Sequence, residues 1–286
     1  MSNIVFAKTR YEYDSYTDFW KLVELSGFPF CYVDEIQLDS TNTYIMSPMN
    51  GEWREMIDDR KRRFEKKCEL IMWNLERPGG SGGLSEYISG SHALIENGYL
   101  DTIIVSDPIL AKVSGMKFVP LGSHKDLGVV SDQSVKCFDF IHLSCYSLHR
   151  SWMFRTPSEM QSNLFGLRIA PNAWGVNRHN LLMQSRIMLC IHQDEFPYIE
   201  PLRYAIAAAY GMPILTEYIE MGVFSPYVVG INMIPGGILK ENTSSLVGVM
   251  GHQMVRDYDN WYRWGLEFRN IMVGEYSFRS CLEKFL

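Results

Sequence analysis

No apolar run in this 286-residue chain is long enough to cross a bilayer as a helix. Cysteine is sparse and scattered: Cys31, Cys68, Cys137, Cys145, Cys190 and Cys281 include no CxxC pair. No Cys/His cluster has zinc-ligand spacing, so a structural metal is not expected. Several of these cysteines sit inside apolar runs, where reduced core thiols are expected. Basic residues are outnumbered, 27 Lys and Arg against 33 Asp and Glu, for a net charge of −6. That balance argues against nucleic acid as an extended partner, although a local basic groove is compatible with it. The opening MSNIVFAKTRYEYD has no apolar signal region. Together with the lack of a disulfide framework, this sets the expectation of a cytoplasmic protein. Short repeats and low-complexity tracts are missing too. No GxGxxG follows the first predicted strand, which disfavours a dinucleotide enzyme. The glycine-rich stretch Pro78–Gly83 does not end in Gly-Lys-Ser/Thr, so it is not a phosphate-binding P-loop.

What is present is an ordinary globular composition, 47% hydrophobic and 21% charged, in a length that suits two modest domains or one large one. Short apolar runs alternate with amphipathic ones. Ile4–Ala7, Phe28–Val33, Thr43–Met46, Glu69–Trp73, Asp101–Val105 and Met116–Pro120 read as strands. Tyr16–Leu25 has apolar residues at helical spacing and is stopped by Gly27; Glu52–Lys67 and Ser85–Glu96 also read as helices. A second cycle follows. Its strands are Phe138–Leu143, Leu167–Ala170, Arg186–Ile191 and Pro213–Thr216. Its helices are Pro157–Leu164, Arg178–Gln184, Glu200–Tyr210 and a helical tract from Gln253 to Phe285. Alternation of this kind predicts parallel sheets covered by helices, hence an α/β chain of two Rossmann-like, doubly wound domains. The polar stretch 121–137 holds the boundary, giving domains of 1–130 and 131–286. Ligands of open parallel sheets bind where loops leave the carboxyl ends of strands, so functional residues are sought there.

The most informative stretch is CIHQDEFPYIEPLRYAIAAAYGMPILTE, from Cys190 to Glu217. It reads as strand, loop, helix, glycine turn and strand, with a glutamate at the end. Ala205 and Ala207–Ala209 give the helix a small surface for close packing, and Gly211 suits a left-handed helix end. Glu200 and Arg203 open the helix on one face, the acid favoured by the positive end of the dipole. The pattern Ile191-His192, then Glu200-x-x-Arg203, then Gly211-x-Pro213 and Glu217 resembles the donor-binding segment of GT-B glycosyltransferases of the bacterial and phage group 1-like kind. The motif covers about a tenth of the chain and is moderately specific; the alternating architecture extends the likeness loosely over the rest.

The resemblance implies two such domains facing each other across a cleft, an N-terminal acceptor domain, and a C-terminal donor domain whose last helices cross back. It implies a metal-independent hexosyl- or glycosyltransferase moving a sugar from a nucleotide sugar, a UDP-sugar by expectation, to an acceptor hydroxyl, with no other cofactor. Helix-start amides favour phosphate, a carboxylate can hold a vicinal diol, and arginine can neutralise charge on a leaving diphosphate. Glu200, Arg203 and Glu217 are the donor-binding candidates, joined by Arg150 after the strand Phe138–Leu143 and by Asn172 after the next. His192, Glu76 and Asp107 are the catalytic candidates, the two acids as general bases should the reaction invert. Arg10, Tyr11 and Tyr13 follow the first strand and are candidates to line the cleft. In one respect the sequence departs from the family. Many retaining members carry a second glutamate five positions before the glycine, where this chain has Ile206, which offers no acceptor for a ribose diol. Hence the alternatives of a catalytically degenerate, GT-B-like nucleotide-binding protein or of a Rossmann enzyme modifying nucleotide sugars.

Each candidate has a plainer competing role: an exposed helix ion pair for Glu200–Arg203, a strand-end residue for His192, a cap for Glu217. The charged run Asp58–Lys67 is most simply a solvated helix face. The Asp257-Tyr258-Asp259 triplet spells a metal-binding pattern by chance, inside a helix rather than after a strand. The acceptor stays open between a glycan, a small molecule, a protein and a modified DNA base, the last disfavoured by the net charge.

Overall fold

The structure is a computed structural model that describes residues 3–10, 16–46, 57–58, 65–75, 83–143, 166–170, 173–192, 199–217, 231–234 and 249–286. The chain divides into two compact units, Met1–Pro120 with Phe285–Leu286, and Leu121–Lys284. The division falls at the amino-terminal edge of the polar stretch read as the boundary.

The first unit is a six-stranded parallel sheet of β1 (Ile4–Lys8), β2 (Phe30–Tyr32), β3 (Thr43–Met46), β4 (Glu69–Asn74), β5 (Thr102–Val105) and β6 (Lys117–Phe118), in the spatial order β2-β1-β3-β4-β5-β6. Its helices are α1 (Thr17–Leu25), α2 (Gly83–Glu96) and α3 (Pro108–Ser114). Period-two alternation sends one set of side chains to each face. Ala7, Tyr44, Leu70, Met72 and Ile103 join one apolar core. Phe6 and Trp73 instead meet Phe19 of α1, edge to face at 6.0 and 5.8 Å. Burial on both faces explains why these strands read as continuous apolar runs.

α3 is an element that the periodicity missed. Its start signal was nevertheless present: Asp107 caps it by accepting from the Ile109 and Leu110 amides at 2.7 and 2.8 Å, and Pro108 fills the first helical position. Gly115 closes it at φ 71°.

The second unit carries β7 (Phe138–His142), β8 (Leu167–Ile169), β9 (Ser185–Cys190), β10 (Ile214–Glu217) and β11 (Ile231–Ile234), all parallel, in the order β11-β10-β9-β7-β8. Its helices are α4 (Gly175–Met183), α5 (Pro201–Ala209), α6 (Tyr258–Val273) and α7 (Phe278–Phe285). The tract from Gln253 to Phe285 read as helical is helical in pieces: it is interrupted by a turn at Asp257 and again after Val273, where Gly274 leaves the helical conformation at φ −96° and ψ −104°. Phe140, Ile187, Leu189, Leu215 and Met254 form a core on one side of this sheet, with Tyr258 and Trp261 of α6 packed against it.

Both sheets share one topology. The first strand of each lies between the second and the third, so consecutive connections leave it in opposite directions. Such a switch point opens a crevice at the carboxyl edge, between β1 and β3 in the first unit and between β7 and β9 in the second.

Candidate functional site

In the second unit the carboxyl edge is built by two strand ends and two helix starts. β9 runs out through Ile191 to His192, β10 ends at Glu217, α5 begins after Glu200, and α4 begins after Trp174. The turn that returns α5 to β10 is held tightly. Gly211 adopts φ 64°, a conformation that glycine takes without strain. Helix α6 lays Gly265 directly on this turn: a Cβ there would stand 2.6 Å from the Gly211 carbonyl oxygen and 2.8 Å from the Pro213 nitrogen. The Arg269 guanidinium, one helical turn along α6, donates to the Ala209 carbonyl at the end of α5 and to the Lys125 carbonyl at 2.8 Å. A cation at that pole also suits the helix dipole.

This packing fixes β10 against β9, and Glu217 profits from it. The His192 backbone N–H donates to Glu217 Oε2 at 2.6 Å, and the imidazole Nδ1 lies 3.6 Å from the same oxygen. The two side chains are only 4% and 13% exposed, so the carboxylate joins two strand ends in a largely dry setting. At the start of α5, Glu200 holds the N-cap position without a side-chain cap bond, and its Oε2 accepts from the Arg203 guanidinium instead. Those side chains are 12% and 16% exposed. The pair is therefore semi-buried and not the solvated surface pair that competed with the functional reading.

A residue not singled out in the sequence joins them. Arg178, in the first turn of α4, is buried, donates from Nε to the Ala173 carbonyl at 2.8 Å, and stacks 4.1 Å from the Trp174 ring. Burial first, and the neighbouring charge of Arg203 second, push its guanidinium down to about 10. The charges of two arginines from different helices are thus felt by one another at this edge. Next to Arg178, His179 Nδ1 lies 2.6 Å from the Tyr210 hydroxyl, whose ionisation burial pushes up to about 12. No spacing rule would have paired Arg178 with Arg203, because β9 intervenes. The available signal was Trp174-Gly175 just after a strand, with an arginine one helical turn on.

Ile206 is buried within α5, as its branched side chain required. His142, at the end of β7, is buried with Nδ1 2.8 Å from the Leu189 carbonyl. Arg150, Asn172 and Glu76 lie outside the described residues, as do Tyr11 and Tyr13. Asp107 does end up after β5, yet its Oδ1 serves two backbone amides of α3, and it is buried. The structure brings together His192, Glu200, Arg203 and Glu217 at one sheet edge of the second unit and leaves Asp107 in the first. Asp257 precedes α6 and Asp259 is exposed in its first turn. Among the described residues no three His, Cys, Asp or Glu side chains are grouped to hold a metal ion, and no helix is long and apolar enough to cross a membrane.

No protein-family model matches this sequence, and no curated protein does. Its backbone is similar to several solved structures. Anabaena HepE in complex with UDP and glucose superposes with a TM-score of 0.62 at 8% identity, over 99% of this chain and 98% of that one. The same protein with UDP-glucose gives 0.62 at 10% identity, over 99% and 97%. A glycosyltransferase from Rickettsia africae ESF-5 gives 0.53 at 7% identity, over 99% and 96%. WaaG, a glycosyltransferase involved in lipopolysaccharide biosynthesis, gives 0.52 at 8% identity, over 98% of each chain. At such identities the likeness establishes the fold, which is the GT-B glycosyltransferase fold.

Proposed function

We propose that this protein transfers a sugar from a UDP-sugar to an acceptor hydroxyl, with the donor held by the second unit. The observation that carries the reading is the convergence of Glu217–His192, Glu200–Arg203 and Arg178 at the carboxyl edge of one parallel sheet. That edge is where ligands of such sheets bind, in a fold shared by structures solved with UDP and UDP-glucose.

In this reading Glu217, fixed by the His192 amide, accepts from the ribose hydroxyls, a role that Ile206 cannot fill. Arg203 and Arg178 take the diphosphate. As the bond from the sugar C1 to the diphosphate oxygen breaks and the acceptor oxygen bonds to C1, negative charge builds on the diphosphate. Two semi-buried guanidiniums are placed to stabilise it, and more strongly than they would in water. Glu200 keeps Arg203 oriented through their ion pair. His192, buried beside Glu217, is assigned to the sugar end of the donor. Arg150 and Asn172 stay candidates for the diphosphate and nucleoside. Asp107 is assigned to helix capping, which leaves Glu76 as the candidate base for an inverting reaction. The arginines supply the charge otherwise provided by a divalent ion, so activity is expected without added metal.

The test is a thermal-shift and calorimetric titration against UDP, GDP, ADP, CMP and their sugar nucleotides. Binding to the folded form alone raises the melting temperature by mass action. UDP and a UDP-sugar are expected to shift it selectively, and Arg203→Ala, Arg178→Ala and Glu217→Ala to abolish the shift. No shift with any nucleotide at millimolar concentration refutes the reading. Selective binding with neither transfer nor donor hydrolysis favours the degenerate alternative, which Ile206 motivates.

A further inference from the structure

The first unit carries an unassigned feature beside its own switch point. β1 lies between β2 and β3, and its carboxyl end carries Lys8 and Arg10. In the parallel register Phe6 pairs with Phe30 and Lys8 with Tyr32. These four side chains therefore share one face of the sheet, the face covered by α1. Beyond the packed Phe6, Lys8 is half-buried among rings. Its Nζ lies 4.8 Å from the centroid of Phe30, 5.6 Å from Tyr32 and 5.8 Å from Trp20.

The two cations there are in different states. Arg10 stacks 4.2 Å from the Tyr32 ring, and its charge is met by Asp34 at 2.9 Å and Glu35 at 3.3 Å. The Lys8 ammonium is turned toward ring faces, and among the described residues it has neither a carboxylate partner nor a hydrogen-bond acceptor. Ring quadrupoles hold an ammonium loosely but satisfy none of its three N–H donors. Beside it Phe30, on the edge strand, is 52% exposed. Among the described residues, a cation with no anionic partner and an open aromatic face stand side by side at the carboxyl end of β1, the strand that borders the switch point.

We infer that the β1–β2 edge of the first unit binds an acidic sugar, its carboxylate or phosphate on Lys8 and the apolar face of its pyranose ring on Phe30. The oxyanion takes the ammonium donors in charge-assisted hydrogen bonds. The sugar C–H face packs on a ring with little side-chain freedom to lose. The Arg10–Asp34–Glu35 cluster flanks the ring with donors and acceptors for its hydroxyls. That this sugar is the transfer acceptor rests on the proposed function; that it binds here does not.

The experiment is saturation-transfer NMR with calorimetric titration of the full chain against glucuronic acid, glucose 6-phosphate, glucose and inorganic phosphate. At least one acidic sugar is expected to bind about tenfold or more tighter than glucose, with saturation reaching the sugar C–H protons. The arm that binds tells carboxylate from phosphate. Lys8→Met, which keeps the stem among the rings, is expected to lose that advantage, and Phe30→Ala to weaken all sugars alike. Melting temperatures within about 2 °C of the parent exclude misfolding as the cause. Equal binding of glucose and both acidic sugars, or an undiminished advantage in Lys8→Met, overturns the inference. Inorganic phosphate binding as tightly as the phosphosugar, with no saturation of sugar protons, overturns it as well. UDP binding by the parent chain is measured in parallel. An acidic sugar bound without UDP leaves this inference standing while removing the transferase reading.

Discussion

Replacing Gly265 by alanine tests whether α6 is the brace of the donor-side turn. The added methyl carbon would sit 2.6 Å from the Gly211 carbonyl oxygen, 2.8 Å from the Pro213 nitrogen and 2.9 Å from its Cδ. Ordinary van der Waals contact for such atoms lies well beyond 3 Å, and the contacted atoms are backbone and a proline ring, which have little freedom to yield. Either α6 moves outward or the Gly211–Pro213 turn moves down. Overpacking of this sort costs about 1–3 kcal/mol. For a unit of this size each kcal/mol lowers the melting temperature by roughly 2–4 °C, so a fall of about 2–12 °C is expected. The displaced turn leads directly into β10, so Glu217 should shift with it and UDP affinity should drop as well. The assay is urea unfolding followed by tryptophan fluorescence, since Trp261 and Trp264 lie on the same helix. A lower midpoint at constant slope measures the cost. Gly90→Ala in α2 is the control. Nothing lies within 4 Å of its added Cβ, so it should gain about 0.5–1 kcal/mol from helix propensity. Equal behaviour of the two variants, or a loss below about 0.5 kcal/mol for Gly265→Ala, would refute the close approach of α6 to the turn.

Glu217→Ala should cost about 1–3 kcal/mol by leaving the buried His192 amide without its acceptor, while Glu217→Gln keeps a carbonyl oxygen there and most of the stability. Urea melts of both settle it, and equal losses would show that the bond is not made. Asp107→Ala should cost about 0.5–2 kcal/mol by removing the cap of α3, and Asp107→Asn should recover most of that. Unchanged stability with lost transfer would instead return Asp107 to the role of base. Lys136 donates to the Ser185 carbonyl at 2.7 Å, and burial, helped by Arg186, pushes its ammonium down to about 8. Because the unfolded chain then binds the proton more tightly than the fold does, its contribution to stability rises as pH climbs from about 8 toward its ordinary value of 10.5. The stability of the parent minus that of Lys136→Met should grow over that window, and a flat difference would contradict the burial.

How much of this was legible in the chain follows from the range of each interaction. Strand and helix alternation is local, so β1, β3, β4, β9, α1 and α5 were placed to within a residue or two. Gly211 and Pro213 announced their turn for the same reason, since backbone restriction belongs to the residue itself. The pair Glu200–Arg203 was visible because three residues is one helical turn. α3 is shorter than the apolar periodicity can register, and only its Asp-Pro start betrays it. Tertiary structure decided the rest. It brought Glu217 to the His192 amide, Arg178 within the field of Arg203, and Gly265 onto the Gly211 turn, because parallel strands adjacent in space are separated in sequence by a helix and its loops. It also decided which charges are met. Arg10 and Lys8 are two residues apart and alike in charge; only the fold seats one on Asp34 and Glu35 and leaves the other among aromatic faces. Propensity is written in each residue, whereas partnership and burial depend on which strands lie side by side.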